Sequence, residues 1–223
     1  MRILQPVDNG DADRRRSSTV WQVRWQRFFE DLEDQLDSEW EAERAALDTE
    51  AERLRLARLR LRDRLLVVLG DAGTAAPVLE LSDGTTVAGR LTGVGADWVV
   101  VAEQTRRADG VLVPLSAITA IGLAHADVLR SARADAAAPP SRLAERMSFG
   151  FVLRDLVRKR AAVTVAVAGR QLSGTIDRAG DDHLDLALHE PGAPRRTDLV
   201  TGYRMIPYGA VLSVRWDAAV TPA

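Results

Sequence analysis

The spacing of apolar side chains divides the chain at residue 70. Before that point, apolar residues recur mostly at steps of three or four, which places them on one face of a helix. Thr19 and Gln22 have the spacing of a capping box, and neither glycine nor proline follows them before Gly70. The pattern predicts a long amphipathic helix over residues 19–70, after a polar tail over residues 1–18 that we expect to be disordered.

The charges of this helix are separated along its length. Residues 30–52 hold eleven acidic side chains and one basic side chain, whereas residues 53–64 hold six arginines and one acidic side chain. A helical hairpin, or antiparallel coiled-coil pairing with a second copy, brings opposite charges together. The alternative is a helix with solvated ends whose apolar stripe packs on the rest of the chain. Thr49 and Glu52 form a second capping-box match, which allows a break near residue 48.

Beyond residue 70 the pattern becomes that of short β-strands. Apolar and polar residues alternate between turn residues, which predicts five strands within residues 77–126. An alanine- and proline-rich linker follows within residues 127–147, and Ser148 is expected to cap a short amphipathic helix. Five further strands are predicted within the segment 148–217, and residues 218–223 form a second tail.

The two groups of strands share one sequence skeleton. Gly89 recurs 85 residues later as Gly174, and Pro114 recurs 93 residues later as Pro207. The second group therefore carries about eight extra residues between its third and fourth strands. A shared skeleton with one change of loop length is expected after duplication of a small β-domain.

Both groups place a glycine in the second strand and an Asp-containing turn before the third. The matching segments are Leu81-Ser82-Asp83-Gly84, Gly89-Arg90-Leu91, Asp97, Gly174-Thr175-Ile176 and Asp182, with Val113-Pro114-Leu115, Ile118, Ile206-Pro207-Tyr208 and Val211 further along. They resemble the first and, in outline, the second motif of the Sm/LSm small β-barrel family. The resemblance covers residues 77–123 and 149–216. The whole chain also resembles an actinobacterial family with a helix followed by two barrels, which implies no mechanism.

The pattern and the resemblance together predict an α+β fold. A long N-terminal helix, or a helical hairpin, precedes two five-stranded Sm-like or SH3-like barrels, and a short helix begins the second barrel. Two barrels in one chain fit poorly with the six- or seven-fold rings of the Sm/LSm family. Two tandem copies can instead pair edge to edge within the chain, which hides exposed strand edges.

The resemblance carries no RNA site over to this chain. The family holds RNA with an Asn after the Asp turn and an Arg-Gly pair in the last loop. Those places hold residues 99–101 and 184–186, then Leu115-Ser116 and Tyr208-Gly209. A uridine pocket is therefore not expected at either place.

Composition narrows the function further. The formal net charge is −2 and the sequence pI is about 6.0, so charge alone does not predict nucleic-acid binding. The chain has no cysteine, which excludes disulfides and thiolate chemistry within it. No apolar run approaches the ~20 residues of a membrane span, and the N-terminus lacks the pattern of a signal peptide. We therefore expect a cytoplasmic protein without cofactors.

Two groups of side chains are the candidate contact residues. Aromatic residues on the helix stripe are predicted to contact a protein partner or a second copy; they are Trp21, Trp25, Phe28 and Trp40. Basic residues of the second strand group form a candidate phosphate-binding face; they are Arg158, Lys159, Arg160, Arg170, Arg178, Arg195, Arg196 and Arg204. The alternative is that these residues, at a helix end and in loops, are simply solvated.

Other candidate chemistry is weaker. His183 and His189 lie near acidic residues, but too few ligands are in sequence reach for a metal site, so solvated side chains are expected. Trp98 occupies the position of His183 in the other strand group, either as a base-stacking residue or as part of the core.

No catalytic motif is present, so we do not expect an enzyme. The sequence instead favours an interaction or scaffold protein, acting through helix-mediated association and strand edges. An RNA-binding regulator is the alternative. No membrane or small-molecule substrate is expected as a partner.

Overall fold

The chain consists of two units that divide after Arg58. The computed structural model describes residues 35, 40–41, 43–70, 73, 75–103, 109–133, 146–191 and 196–217. In the first unit, residues 43–58 form a continuous helix, α1. The second unit is mostly β-sheet. Its elements are α2 (Leu61–Gly70), β1 (Val78–Leu81), β2 (Thr86–Val94), β3 (Trp98–Glu103), β4 (Asp109–Pro114), β5 (Ile118–Gly122), α3 (His125–Arg130), α4 (Phe149–Lys159), β6 (Ala162–Val167), β7 (Arg170–Ala179), β8 (His183–Leu188), β9 (Gly202–Pro207) and β10 (Val211–Asp217), with 3₁₀ turns at Leu115–Ala117, Thr197–Leu199 and Tyr208–Ala210.

Helix α1 pairs many of its charges along its own surface. The Arg55 guanidinium donates to both carboxylate oxygens of Glu52 at 2.7 Å, and Arg53 lies 3.4 Å from Glu50. The hydrogen bond from Arg55 lowers the pKa of the Glu52 carboxyl. The helix runs through residue 48, so the break allowed there by the second capping box is absent.

One helix over residues 19–70 is wrong for the part of the chain that is described. Residues 59–60 leave the helical conformation, and the Arg60 carbonyl then accepts bonds from the amides of Asp63 and Arg64 in the first turn of α2. The reason is packing: Leu65 and Val68 are buried in the core of the second unit, and tertiary burial outweighs uniform helix propensity. Most of residues 19–42 and both predicted tails lie outside the described residues. No helix within the described ranges is both long and apolar enough to cross a bilayer.

The two predicted five-stranded barrels are also wrong. All ten strands form a single antiparallel sheet in the order β5-β1-β2-β3-β4-β10-β6-β7-β8-β9. A closed barrel requires the outer strands of each group to pair with each other. Instead, β4 at the edge of the first group pairs with β10 at the edge of the second. The expected edge-to-edge pairing within the chain is therefore confirmed, and it satisfies backbone groups that both edges would leave exposed.

The duplication is visible in the strands themselves. We call α2 with β1–β5 the first half, and α4 with β6–β10 the second half. Both halves have the same internal order, with the fifth strand beside the first and the fourth at the other edge. Each long second strand has a bulge at the same place, between Leu91 and Gly93 and between Ile176 and Arg178. The two halves therefore correspond strand for strand.

A close backbone approach explains why both copies keep the same glycine. A Cβ added at Gly89 would lie 2.2 Å from the Ala102 carbonyl oxygen, and one at Gly174 would lie 2.0 Å from that of Ala187. Both distances are far below any real Cβ contact. The second strand can bend over the third in each half only because that side chain is missing.

Two apolar clusters form the core, one for each half. Helix α2 packs in the first cluster through Leu65 and Val68, and α4 packs in the second through Leu153 and Leu156. Helix α3, which lies where only a linker was predicted, is joined to α2: the Arg64 guanidinium donates to the Val128 carbonyl at 2.8 Å and to the Ser131 hydroxyl at 2.9 and 3.0 Å.

The junction of the halves should be sensitive to added volume at Gly110. This residue lies opposite Trp216, and an added Cβ would be 2.3 Å from Cζ2 of the indole. We expect Gly110→Ala to lower the free energy of unfolding by ~1–3 kcal/mol in urea titrations, because the core cannot absorb the clash without shifting β10. The matched control is Gly209→Ala, where nothing lies within 4 Å of the added carbon. Equal stability of the two variants would contradict this view of the junction.

Candidate interaction surfaces

The junction between β4 and β10 is the interface that the chain makes with itself. Leu112 and Trp98 of the first half are buried in the core cluster of the second half, and Leu212 of the second half is buried in that of the first. An ion pair also crosses the junction, because Arg215 on β10 lies 2.5 Å from Glu103 on β3. Both side chains are mostly buried, so this pair is better shielded from solvent than a surface pair.

A turn of the first half holds the start of α4. The amide of Phe149 donates to a carboxylate oxygen of Asp97 at 2.7 Å, and the Trp98 indole donates to the Met147 carbonyl at 2.8 Å. Ser148 occupies the N-cap position as predicted, but its side chain makes no capping bond. Asp97, from the other half, caps the helix instead. Trp98 is buried, so it belongs to the core and is not available for base stacking.

The corresponding turn of the second half has a different environment. The Asp182 carbonyl accepts from the Tyr208 amide at 2.7 Å, just as the Asp97 carbonyl accepts from Leu115 at 2.8 Å. The Asp182 side chain, however, is exposed and contacts only the neighbouring His183 ring at 2.8 Å among the described interactions. This hydrogen bond lowers the pKa of the Asp182 carboxyl. The turn therefore has the geometry of a helix-capping site with no helix recorded at it in the described chain.

Tyr208 supports this second turn from within. Its hydroxyl donates to the Gly180 carbonyl at 2.9 Å, and its ring packs edge-on against Phe149 with centroids 5.4 Å apart. Burial raises the pKa of the Tyr208 hydroxyl above its usual value. The turn is thus held in place by its own half.

Two strands of the sheet pair on one side only, within the described part of the chain: β5 and β9. On β9, the large side chains Tyr203 and Met205 are 58% and 72% exposed. An outer strand offers unpaired N–H and C=O groups to another strand, and exposed apolar side chains beside them favour contact with a partner.

A groove lies beside β5, the other outer strand. Its volume is about 280 Å³, and it is bordered by α2, by β5 and the residue after it, and by α3. The apolar side chains lining it include Leu61, Leu65, Val68, Ile118, Ile121 and Leu123. The sheet therefore has a strand with two exposed apolar side chains at one edge and an apolar groove beside the other.

Three of the candidate basic residues have acidic neighbours, and the shared phosphate-binding face stays a prediction. Arg158 and Lys159 both contact Asp155, at 2.7 and 2.9 Å. Arg178 lies opposite Asp185 in the adjacent strand. Arg170 begins β7 and Arg178 lies near its end.

Three of the remaining basic candidates are exposed. Arg160, in the left-handed conformation after α4, is exposed, as is Arg196 at the start of a 3₁₀ turn. Arg204 on β9 is exposed and donates to the Tyr203 carbonyl at 2.8 Å. Arg195 lies outside the described residues.

The histidines have structural partners. His189 is buried, with one ring nitrogen 2.9 Å from the Thr175 hydroxyl and the other 3.0 Å from the Glu190 carbonyl. His183 is joined to Asp182, as described above. No cluster of three potential metal ligands occurs among the residues with described positions.

Of the four aromatic candidates on the N-terminal helix, Trp40 lies within the described residues. Trp40 is exposed, and so are Leu47 and Leu54, which follow it at intervals of seven residues. Trp21, Trp25 and Phe28 lie outside the described residues. The predicted contact role of the aromatic stripe therefore stays a prediction.

Comparison with known proteins adds no family to this description. No protein-family model matches the chain, and no curated protein is significantly similar to it. The Sm/LSm resemblance therefore has no support from a relative.

Sequence reasoning did not single out Tyr203 and Met205. The signal was present in the repeat, because Met205 follows Leu112 by the same 93 residues that separate the two prolines. An apolar residue kept at one position of both copies, but buried in only one of them, marks a surface that is covered in the first half and open in the second.

The capping role of Asp97 is testable against its counterpart. We expect Asp97→Ala to lower the free energy of unfolding by ~1 kcal/mol, the usual cost of losing a helix cap. Asp182→Ala should change it by less than ~0.5 kcal/mol, because an exposed side chain without such a bond contributes little. Both are measured by urea unfolding at low protein concentration. A larger loss from Asp182→Ala than from Asp97→Ala would contradict the assignment.

Proposed function

We propose that this protein is a non-enzymatic interaction protein that binds other protein chains through the outer strands of its sheet. The observation that carries the proposal is the exposed pair Tyr203 and Met205 on β9, a strand that pairs on one side only in the described chain. A soluble domain usually blunts such an edge with charges, prolines or a covering loop, and β9 has Arg204 and Pro207 beside its two large apolar side chains. Large apolar side chains there favour a partner strand.

The mode of binding is strand addition. An added strand gains backbone hydrogen bonds along the edge, while alternate side chains enter apolar contacts that give specificity. The groove beside β5 supplies such contacts at the other edge, through Leu65 and Ile121 among others. Binding at both edges makes the protein a connector between chains, which is the scaffold role.

Helix-mediated association remains part of the proposal. Trp40, Leu47 and Leu54 expose apolar surface at heptad spacing on the first unit, which suits a helical partner or a second copy. The absence of catalytic motifs in the sequence supports a non-enzymatic role, and a cytoplasmic location stays a prediction.

RNA binding is the weaker candidate. Arg158, Lys159 and Arg178 each contact or face a carboxylate, and no observation joins the basic residues into one phosphate-binding surface. We therefore keep protein binding as the proposed function and treat nucleic-acid binding as an outcome to be tested.

Site-specific photo-cross-linking tests the edge. A benzophenone-bearing phenylalanine replaces Met205 in the full chain, expressed in the native host, and the matched control carries it at Phe151, an exposed apolar residue of α4. We expect a discrete protein adduct from position 205 and none from position 151. Equal labelling at both positions, or adducts with nucleic acid alone, would contradict the proposal.

Salt dependence tests the alternative. A protein that neutralises several phosphates loses affinity steeply as salt rises, with a slope of about −0.7 per phosphate on single strands. We expect generic RNA and DNA to show no such binding to the full chain in fluorescence anisotropy, even at low salt. Tight binding that Arg196→Glu and Arg204→Glu together abolish would favour the RNA-binding regulator.

A further inference from the structure

We propose that the partner of the strand edges is a second copy of this chain, bound head to tail. In this arrangement β9 of one copy pairs with β5 of the next, and Met205 enters the groove beside β5. The inference rests on the proposed function and names its partner. The proposed pairing between copies repeats the junction that the chain makes between its own two halves.

The two outer strands are of the same kinds as the two strands of the junction. The junction joins the fourth strand of the first half, β4, to the fifth strand of the second half, β10. The strands left at the outside are the fourth strand of the second half, β9, and the fifth strand of the first half, β5. Each open edge therefore corresponds to an edge that is paired elsewhere in the same molecule.

The helices correspond as closely as the strands. In α2 the buried residues are Leu65, Val67 and Val68, and 88 residues later α4 buries Leu153, Asp155 and Leu156. The first turns also match. The Arg60 carbonyl accepts from the amides of Asp63 and Arg64, and the Ser148 carbonyl accepts from the amides of Phe151 and Val152. The two helices thus occupy equivalent places in their halves.

The groove beside β5 is the counterpart of the site that holds Leu112. At the junction Leu112 is completely buried in the cluster of the second half. The cluster members corresponding to the groove residues Leu61, Leu65, Val68, Ile118, Ile121 and Leu123 are Phe149, Leu153, Leu156, Val211, Val214 and Trp216. The α2 and β5 sides of the groove thus match the surroundings of Leu112, whereas the α3 side, with Val128 and Ser131, has no described counterpart there.

Met205 is the counterpart of Leu112. It is 72% exposed where Leu112 is 0% exposed, although both are large apolar side chains on the fourth strand of their half. An unbranched methionine adapts to an irregular apolar groove. The register of the junction, with Val214 opposite Leu112, places Met205 opposite Ile121 of the next copy.

The neighbouring pair differs from its counterpart at the junction in both side chains. At the junction the large Trp216 lies opposite Gly110. At the open edges the corresponding residues are Leu123 and Tyr203, so the smaller side chain has moved to the fifth-strand side and the larger to the fourth. Leucine and tyrosine together are larger than glycine and tryptophan, so this pair would have to pack differently from the pair at the junction.

The turn and the helix start complete the correspondence. Asp182 occupies the position of Asp97, which caps α4 at Phe149. The counterpart of Phe149 is Leu61 at the start of α2, which is 46% exposed where Phe149 is 3% exposed. A second copy would bury the Leu61 side chain and bring the Leu61 amide to the Asp182 carboxylate of its neighbour.

The contact between copies should be weaker than the junction. Thr119 takes the place of Leu212, which is buried at the junction, and Arg204 takes that of Val111. Gly122 and Leu188 take the places of Arg215 and Glu103, so that ion pair is not reproduced. We therefore expect reversible association. Because every copy keeps one edge of each kind, the contact is heterologous and can repeat.

Cysteine cross-linking tests the register. The chain has no cysteine of its own, so Gly122→Cys and Arg204→Cys can be made as two clean single-cysteine chains. A Cβ at Gly122 would meet Val78 at 3.6 Å, an ordinary contact. Facing residues of antiparallel strands have the Cα separation that a disulfide needs. On mixing and oxidation we expect a disulfide between the two different chains. Cross-links only within one variant, or none, would overturn head-to-tail pairing.

Sedimentation of the full chain tests the energetics. We expect Met205→Glu to weaken self-association about 10- to 30-fold, as the loss of a central apolar contact does. Its unfolding curve at low concentration should match that of the wild type, because the side chain is largely exposed in one copy. Phe151→Glu, an equally drastic change elsewhere, should leave association intact. Unchanged association of Met205→Glu would overturn the inference.

The outcomes separate the two proposals. If position 205 photo-cross-links to a different protein while the cysteine chains do not join, the second copy is refuted and the interaction function stands. If association persists in Met205→Glu but is lost in Leu47→Glu, the helix mediates it and head-to-tail pairing is refuted. If no protein is captured at position 205 and the chain sediments as a monomer, both proposals are refuted.

Discussion

The backbone pairing between β4 and β10 holds the second unit together. Four residue pairs, from Val214 opposite Leu112 to Asp217 opposite Asp109, turn two duplicated groups of strands into one sheet. An outer strand in water has N–H and C=O groups that need partners, and a neighbouring copy of the same unit supplies them at fixed spacing. Side chains then follow the backbone: Leu112 and Trp98 complete one core cluster, and Leu212 completes the other. Neither cluster is composed of one half alone.

The pairing of β4 with β10 leaves two different strand edges open. A pairing between different edges of two equivalent units uses one edge of each and leaves the other edge of each open. The two open edges differ in shape, since β9 exposes the large side chains of Tyr203 and Met205 whereas β5 lies beside a groove. The same duplication that stabilises the interior thus creates a projecting surface and a receiving surface. The proposed function and the proposed partner both derive from that asymmetry.

Several local features could be predicted from the sequence because they depend on near neighbours. Gly89 and Gly174 mark the bends of the second strands, and the repeat of Asp97 as Asp182 marks equivalent turns. Other predictions failed where distant residues compete. Ser148 has the right type for a cap, but Asp97 from the other half makes the bond. Closed barrels were expected from the strand pattern and the Sm/LSm resemblance, yet closure depends on which edges meet.

The candidate surfaces were harder to predict than the fold. The basic residues were chosen for their type, and the structure places carboxylates beside Arg158 and Lys159 and an acidic residue opposite Arg178. Met205 has the same kind of sequence position as Leu112, and alternation along a strand does not tell a covered side chain from an uncovered one. Only the position of the neighbouring half distinguishes the two.

The sequence by itself determined the number of strands, the bends, the duplicated turns and the helical character of residues 43–58, because these follow from periodicity, glycine and turn chemistry within a few residues. The tertiary structure decided that the halves share one sheet, that the helix is interrupted before Leu61, and which apolar side chains remain open. The shared sheet depends on contacts between distant segments such as β4 and β10, and the interruption of the helix depends on the packing of Leu65 and Val68 in the first core cluster. Such contacts form only in the folded chain, so the pattern of neighbouring residues does not predict them.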